Sequence, residues 1–131
     1  MEPRMNADAR RLNEISERVI GCAYMVANTM GCGFLEKVYE NALAHELSKA
    51  GLSVEQQKRL SVIYDGIVVG EYITDLLVEN AVLVEAKAVK LLDDIHMAQC
   101  LNYLKATGLK RGLLINFGLP KLVDGVKRIS L

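Results

Sequence analysis

The chain has 131 residues, 51% of them hydrophobic, and its 16 basic and 16 acidic side chains cancel. That length suits one domain with a sizeable core rather than two, and the hydrophobic share excludes a disordered chain. Residues 1–131 are therefore expected to form a single domain, with residues 1–5 as a loose terminus. The charges are unevenly placed: residues 1–85 hold 8 basic and 13 acidic side chains, residues 86–131 hold 8 and 3. A basic part beside an acidic one suits a polyanion brought to a metal, but it equally suits a homodimer, and ordinary solvation is the simplest explanation. The three cysteines, Cys22, Cys32 and Cys100, have no metal-ligand spacing and cannot all pair within the chain, as expected of a reduced protein. With no apolar run of about 18 residues and no cleavable leader pattern, the chain is expected to be cytoplasmic and not to span a membrane.

Over residues 6–30 the apolar positions Leu12, Ile15, Val19, Cys22, Val26 and Met30 recur at steps of three and four, the period of an amphipathic helix. Gly31-Cys32-Gly33 ends it. A second helix is expected over residues 34–50, with Leu35, Val38, Tyr39, Ala42 and Leu43 on its apolar side and Gly51 as its stop. Glu36 flanks that buried side, because seven residues make almost two turns and bring it close to the azimuth of Leu43. A first-turn acid also complements the helix dipole, which explains Glu36 without any function.

Beyond Gly51 the period becomes two. Leu60, Val62 and Tyr64 alternate with Ser61 and Ile63, Asp65-Gly66 signals a tight hairpin, and Ile67-Val68-Val69 resumes, with a break or bulge expected near Gly70. Residues 73–87, ITDLLVENAVLVEAK, then read as two strands separated by Glu79-Asn80-Ala81 that carry three charges, Asp75, Glu85 and Lys87, inside apolar runs. Desolvating an unpaired charge costs several kcal/mol, so these groups need one another or a metal. Glu85 and Lys87 share a strand face. In an antiparallel hairpin Asp75 joins that face only when the loop is odd-numbered, and a three-residue loop of Val78, Glu79 and Asn80 meets the condition.

Asp93 or Asp94 caps a third helix that stops at Gly108, and Gly112-Leu113-Leu114-Ile115-Asn116-Phe117 has the look of a central strand. A short edge strand over residues 126–129 follows the turns at Pro120 and Asp124-Gly125. The order is helix, helix, three strands, helix, strand, with a last edge strand. A helix between two strands implies a parallel crossover, and hence an α/β domain with a mixed sheet flanked by helices.

An acid on an early helix, then Asp75, then Glu85-Ala86-Lys87, then a helix with a polar face resembles the PD-(D/E)XK nuclease superfamily. Gly33-Phe34-Leu35-Glu36-Lys37-Val38-Tyr39 resembles the signature that names the GxxExxY protein family. Asp75-Leu76-Leu77-Val78, residues 99–104 and residues 112–118 are similar to that family too, so the resemblance spans residues 13–129. Thr74 departs from it, standing where the superfamily has its nominal proline. The resemblance implies a restriction-endonuclease-like fold and a metal-dependent nuclease acting on DNA or RNA, with Glu36, Asp75, Glu85 and Lys87 as catalytic residues. Asp75, Glu85 and Glu36 would be the metal ligands, and Tyr39, Gln99 and Tyr103 would flank the site, Tyr39 as a core residue with its hydroxyl reaching it.

The chemistry agrees with that implication. Carboxylate oxygens favour Mg²⁺ or Mn²⁺ over zinc, such a cation relieves charge on a phosphoryl group, and a neighbouring lysine orients water and stabilises developing charge. Against it stands a structural ion pair among Asp75, Glu85 and Lys87. Gln99 and Tyr103, four apart, share a helix face with His96 nearby. His45 and His96 are expected at the surface or in packing, because no zinc set surrounds them. Lys58-Arg59, Lys110-Arg111, Lys121 and Lys127-Arg128 are candidate phosphate contacts, or plain solvated surface. Two other classes fit the same sequence: a catalytically inactive nuclease-fold module that binds nucleic acid or protein, and an oligomer whose opposite charges pair between subunits.

Overall fold

The computed structural model describes residues 7–131, so the expected loose terminus over residues 1–5 lies outside the described residues. Helices α1 (Ala7–Met30) and α2 (Glu36–Lys49) come first, followed by strands β1 (Val54–Tyr64), β2 (Ile67–Val78) and β3 (Val82–Lys87). Helix α3 (Asp94–Thr107), β4 (Arg111–Asn116), a short 3-10 turn over Leu122–Gly125 and β5 (Val126–Ser130) complete the chain. The five strands form one sheet in sequence order, antiparallel except for the parallel pair β3 and β4. The sheet is therefore mixed, with the β3-α3-β4 crossover that a helix between two strands implies.

Helices cover both faces. On one, Ile15, Val19, Ala23 and Val26 of α1 and Tyr39, Leu43 and Leu47 of α2 pack on Leu76, Val84, Ala86, Leu113 and Ile115. On the other, Cys100 and Leu104 of α3 pack on Leu83, Leu114 and Ile129. The second cluster is smaller, and it gives way to a cleft at the end of the sheet where β3 finishes. Local signals set the ends of α3: Asp93 caps its start, and Gly108 closes it at φ 79°, a conformation glycine adopts without steric penalty.

Three details differ from the sequence reading. The buried stripe of α2 is Tyr39, Glu40, Leu43, Ala44 and Leu47, while Leu35 and Val38 are exposed; a charged Glu40 takes an inward position because three side chains receive it. β1 begins at Val54, six residues before its alternating apolar positions, as a polar edge strand. The loop between β2 and β3 is residues 79–81, closed by Val78 and Val82: the expected break at Glu79-Asn80-Ala81 and the odd count hold, while the loop of Val78, Glu79 and Asn80 lies one residue too early. Glu79 and Asn80 both adopt left-handed φ values, 55° and 52°. The break near Gly70 is a bulge, the pairing moving from Val62↔Gly70 to Ile63↔Val68.

Candidate active site

The site is built where β2 leaves β3. Their pairing runs through Val78↔Val82 and Leu77↔Leu83 to Leu76↔Val84 and then stops, so Asp75 and Glu85 lie one step beyond the last rung. Here the alternation of β1 and β2 slips by one residue. The cross-strand partners Leu60 and Tyr72 pack on the α3 side, whereas Gln56 and Leu76, two even-numbered pairs further along, face α2. Gln57, opposite Asp75 and at a left-handed φ of 52°, absorbs the slip. Asp75 is consequently turned into the gap between the strands instead of simply joining the face of Glu85. Its Oδ2 accepts the backbone N–H of Ala86 at 2.9 Å, a donor that a continuing ladder would give to a main-chain carbonyl.

Glu85 is buried, and its Oε1 collects three donors: the Tyr72 hydroxyl, the Thr74 hydroxyl at 2.9 Å and the Asp75 backbone N–H at 3.4 Å. Thr74 therefore does something proline cannot, holding the carboxylate with a side-chain donor. These bonds use one oxygen of each acid. The two carboxyl groups also lie within hydrogen-bonding reach of one another. Burial, and next the charge of Asp75, push the Glu85 carboxyl up to about 7. Burial also raises Asp75, reinforced by the charges of Glu40 and Glu36. Tyr72 is raised by burial and by Glu85, so it stays a phenol that donates.

Beside this pair lies a cleft of about 230 Å³ between the sheet and α3, lined by Glu85, Lys87, Tyr72, His96, Gln99 and Tyr103 among others. Tyr72 and Tyr103 stack across it with centroids 3.4 Å apart. Among the described residues the Lys87 ammonium has no hydrogen-bond or ion-pair partner, and neither Asp75 nor Glu85 forms a salt bridge. A structural ion pair among the three is thus not what the fold makes. The backbone after Lys87 is fixed by buried Asn116, which accepts from Val89 N and Gly118 N, both at 3.0 Å, and donates to Val89 O at 2.9 Å. A Cβ on Gly118 would come within 2.4 Å of Val89 O, which explains the glycine in that motif.

The structure therefore brings Asp75, Glu85, Lys87, Gln99 and Tyr103 to one end of the sheet. Glu36 is exposed in the first turn of α2 and reaches Asp75 through its charge. Glu40, one turn later and only 3% exposed, receives Lys37 at 2.8 Å, Gln56 at 2.8 Å and Gln57 at 3.0 Å. Burial opposes its charge, but these hydrogen bonds together outweigh that and hold the carboxyl below its usual range. Tyr39 differs from expectation: its hydroxyl donates to Gly31 O at 2.6 Å and accepts from Phe34 N at 3.1 Å, so it pins the loop before α2 and does not reach the carboxylates. Its ring stacks on Phe117 in the core.

Glu40, Tyr72 and Asn116 have roles not expected from the sequence, Thr74 was expected only as a departure from the motif, and His96, expected at the surface or in packing, lines the cleft. For Glu40 a signal existed, since it lies three and seven residues before Leu43 and Leu47 on the inward stripe. Several basic candidates are engaged within the chain. Lys58 pairs with Glu55 and Arg59 with Glu71. Arg111 donates to Asn13, Ser16 and Ser130, and Arg128 pairs with Glu17. The last two tie the basic C-terminal part to α1 of the same chain, so part of the charge asymmetry is settled without a second subunit.

Among the described residues no three His, Cys, Asp or Glu side chains gather as a closed metal cage. Mg²⁺ needs less, because it keeps several waters and binds through one or two carboxylates together with substrate phosphate. Two neighbouring acids, both with raised pKa values because each resists the other's charge or its own burial, fit that requirement.

These features and the fold define a nuclease-like α/β domain. The chain belongs to the PD-(D/E)XK nuclease superfamily, whose family model matches residues 13–129. Members of this superfamily typically use divalent metals. Comparison with curated proteins returns no match. The crystal structure of SSO0001 is similar with a TM-score of 0.54 and 18% identity, which speaks for the fold alone; the alignment covers 94% of this chain and 61% of that one. No described helix is long and apolar enough to cross a membrane.

Proposed function

We propose that the protein is a metal-dependent nuclease of the GxxExxY family, hydrolysing phosphodiester bonds of DNA or RNA with Mg²⁺ or Mn²⁺ held by Asp75 and Glu85. The observation that carries this reading is the opening between β2 and β3, where buried Glu85 and half-buried Asp75, two interacting carboxylates, adjoin a cleft containing an unpaired lysine. When bound there, a divalent cation neutralises charge on the phosphoryl oxygens and acidifies water. The remaining work falls to the chain's own groups. Tyr72 and Thr74 fix the orientation of Glu85 through Oε1. Lys87 contacts a phosphoryl oxygen and orients the attacking water from the floor of the cleft. Gln99 and Tyr103 border the substrate from α3, the Tyr103 ring being stacked on Tyr72. Glu36 adds negative charge toward Asp75 from the start of α2.

Purified protein with Mg²⁺ or Mn²⁺ is expected to cleave a DNA or RNA substrate, and Lys87→Ala to lower the rate by about two orders of magnitude or more. Equal cleavage by the variant would assign the activity to a contaminant. Absence of cleavage on DNA and RNA of both strandednesses would favour the binding module instead.

A further inference from the structure

We propose that His96 is a further substrate-contacting residue of this site, its Nε2–H serving as a fixed hydrogen-bond donor to a phosphate or phosphodiester oxygen lying beside Lys87. That the cleft receives such a group rests on the nuclease reading above; the orientation of the imidazole does not.

His96 is the third residue of α3 and closes a capping box with Asp93. Asp93 Oδ1 accepts the His96 backbone N–H at 3.1 Å, and His96 Nδ1 accepts the Asp93 backbone N–H at 3.3 Å. A capping box ordinarily uses Glu or Gln at this position, whose side chain reaches back as an acceptor. An imidazole performs the same task with one nitrogen and keeps a second on the far edge of its ring. Because Nδ1 accepts, the proton of the neutral ring belongs on Nε2. In the charged ring both nitrogens carry protons, and Nδ1 then meets Asp93 Oδ1, 3.2 Å away. Nε2 is a donor in either state. The opposite neutral tautomer would set the Nδ1 proton against the Asp93 N–H.

The ring lines the same cleft as Glu85, Lys87, Gln99 and Tyr103, and its side chain is 25% exposed. Among the described residues nothing accepts from Nε2. An anionic oxygen in the cleft would therefore be offered an ammonium from β3 and a ring N–H from α3. The second donor is held in place by the helix cap, so little side-chain freedom is lost on binding. A zinc role is not supported, because no three-donor set surrounds the ring.

His96→Gln keeps the cap and replaces the rigid ring donor with a flexible amide N–H, whereas His96→Ala removes both the cap acceptor and the donor. The protein labelled with ¹⁵N is titrated separately with a short deoxyribo-oligonucleotide and a short ribo-oligonucleotide in Ca²⁺, with imidazole nitrogens read by long-range NMR and affinities measured in parallel. The free protein is expected to show the Nε2–H form, and at least one oligonucleotide to shift the Nε2 resonance. His96→Gln, which keeps a donor, is expected to keep the wild-type melting temperature and part of the affinity, whereas His96→Ala melts lower and binds about tenfold more weakly. An Nδ1–H form, no Nε2 response, failure of wild type to bind either oligonucleotide, or unchanged affinity in His96→Ala would each overturn the proposal. Cleavage in Mg²⁺ with an unresponsive His96 overturns this assignment alone; binding with a responsive His96 but no cleavage in Mg²⁺ or Mn²⁺ overturns the nuclease reading and leaves His96 as a contact.

Discussion

Residues 76–78 of β2 are buried and paired with both β1 and β3, whereas residues 72–75 of the same strand have left β3 and keep β1 alone. In the inner part the side chains fill space in an apolar core. In the outer part Tyr72, Thr74 and the Asp75 backbone N–H all converge on one carboxylate oxygen of Glu85. The difference shows how a site is made from a sheet. Ending a ladder frees a main-chain N–H for Asp75, and slipping the alternation at Gln57 turns polar side chains inward without moving the strand from its place.

Substitutions in the two parts should therefore fail in different ways. The largest effect belongs to the outer part: Glu85→Gln or Asp75→Asn is expected to reduce cleavage by about three orders of magnitude while the chain unfolds at a temperature no lower than wild type, since one of two crowded acids is gone. Leu76→Ala should do the reverse. A fully buried leucine replaced by alanine costs about 2–5 kcal/mol, visible in urea unfolding, with specific activity retained where the protein remains folded. Activity loss with normal stability in Leu76→Ala would break the distinction.

How far this arrangement was legible in the sequence follows from the range of the interactions. The Asp65-Gly66 hairpin, the bulge near Gly70, the stop at Gly108 and the element order all rest on local chemistry, and the structure has them. Hairpin parity was readable as well, because alternation fixes it, and so was the break at Glu79-Asn80-Ala81; the residues that turn were less so, because Glu79 and Asn80 both take left-handed φ values and only Asn80 is a residue type suited to one. The slip at Gln57 leaves no trace in hydrophobic period. Glu40 and Thr74 owe their positions to partners 16 and 11 residues away, or more, in sequence. For the same reason Thr74 read as a departure from a motif until its hydroxyl was seen to hold Glu85.

A pH dependence of stability follows next in size. The folded-state pKa of Glu85 is raised to about 7 from an ordinary 4.5. The folded chain then binds more protons than the unfolded chain between those values, so this group's contribution is fully present below about pH 4.5 and is lost as pH rises through 7. Metal-free protein is expected to lose roughly 3 kcal/mol of stability from this group over that window, and Glu85→Gln should flatten the curve. Mg²⁺ should restore stability more at pH 8 than at pH 5, because it binds the ionised acids. A smaller effect is expected for Thr74→Val, which keeps shape but removes one donor from Glu85: about 1 kcal/mol of stability and an upward shift of the acid limb of cleavage. An unchanged pH profile would separate Thr74 from the site.

The central claim is that Asp75 and Glu85, at the opening between β2 and β3, hold a divalent cation. Crystals soaked in Mn²⁺ and measured at the manganese absorption edge test it most directly. The expected result is an anomalous peak in contact with both carboxylates in wild type and absent in Asp75→Asn; a peak elsewhere on the chain, or none at saturating Mn²⁺, would contradict it.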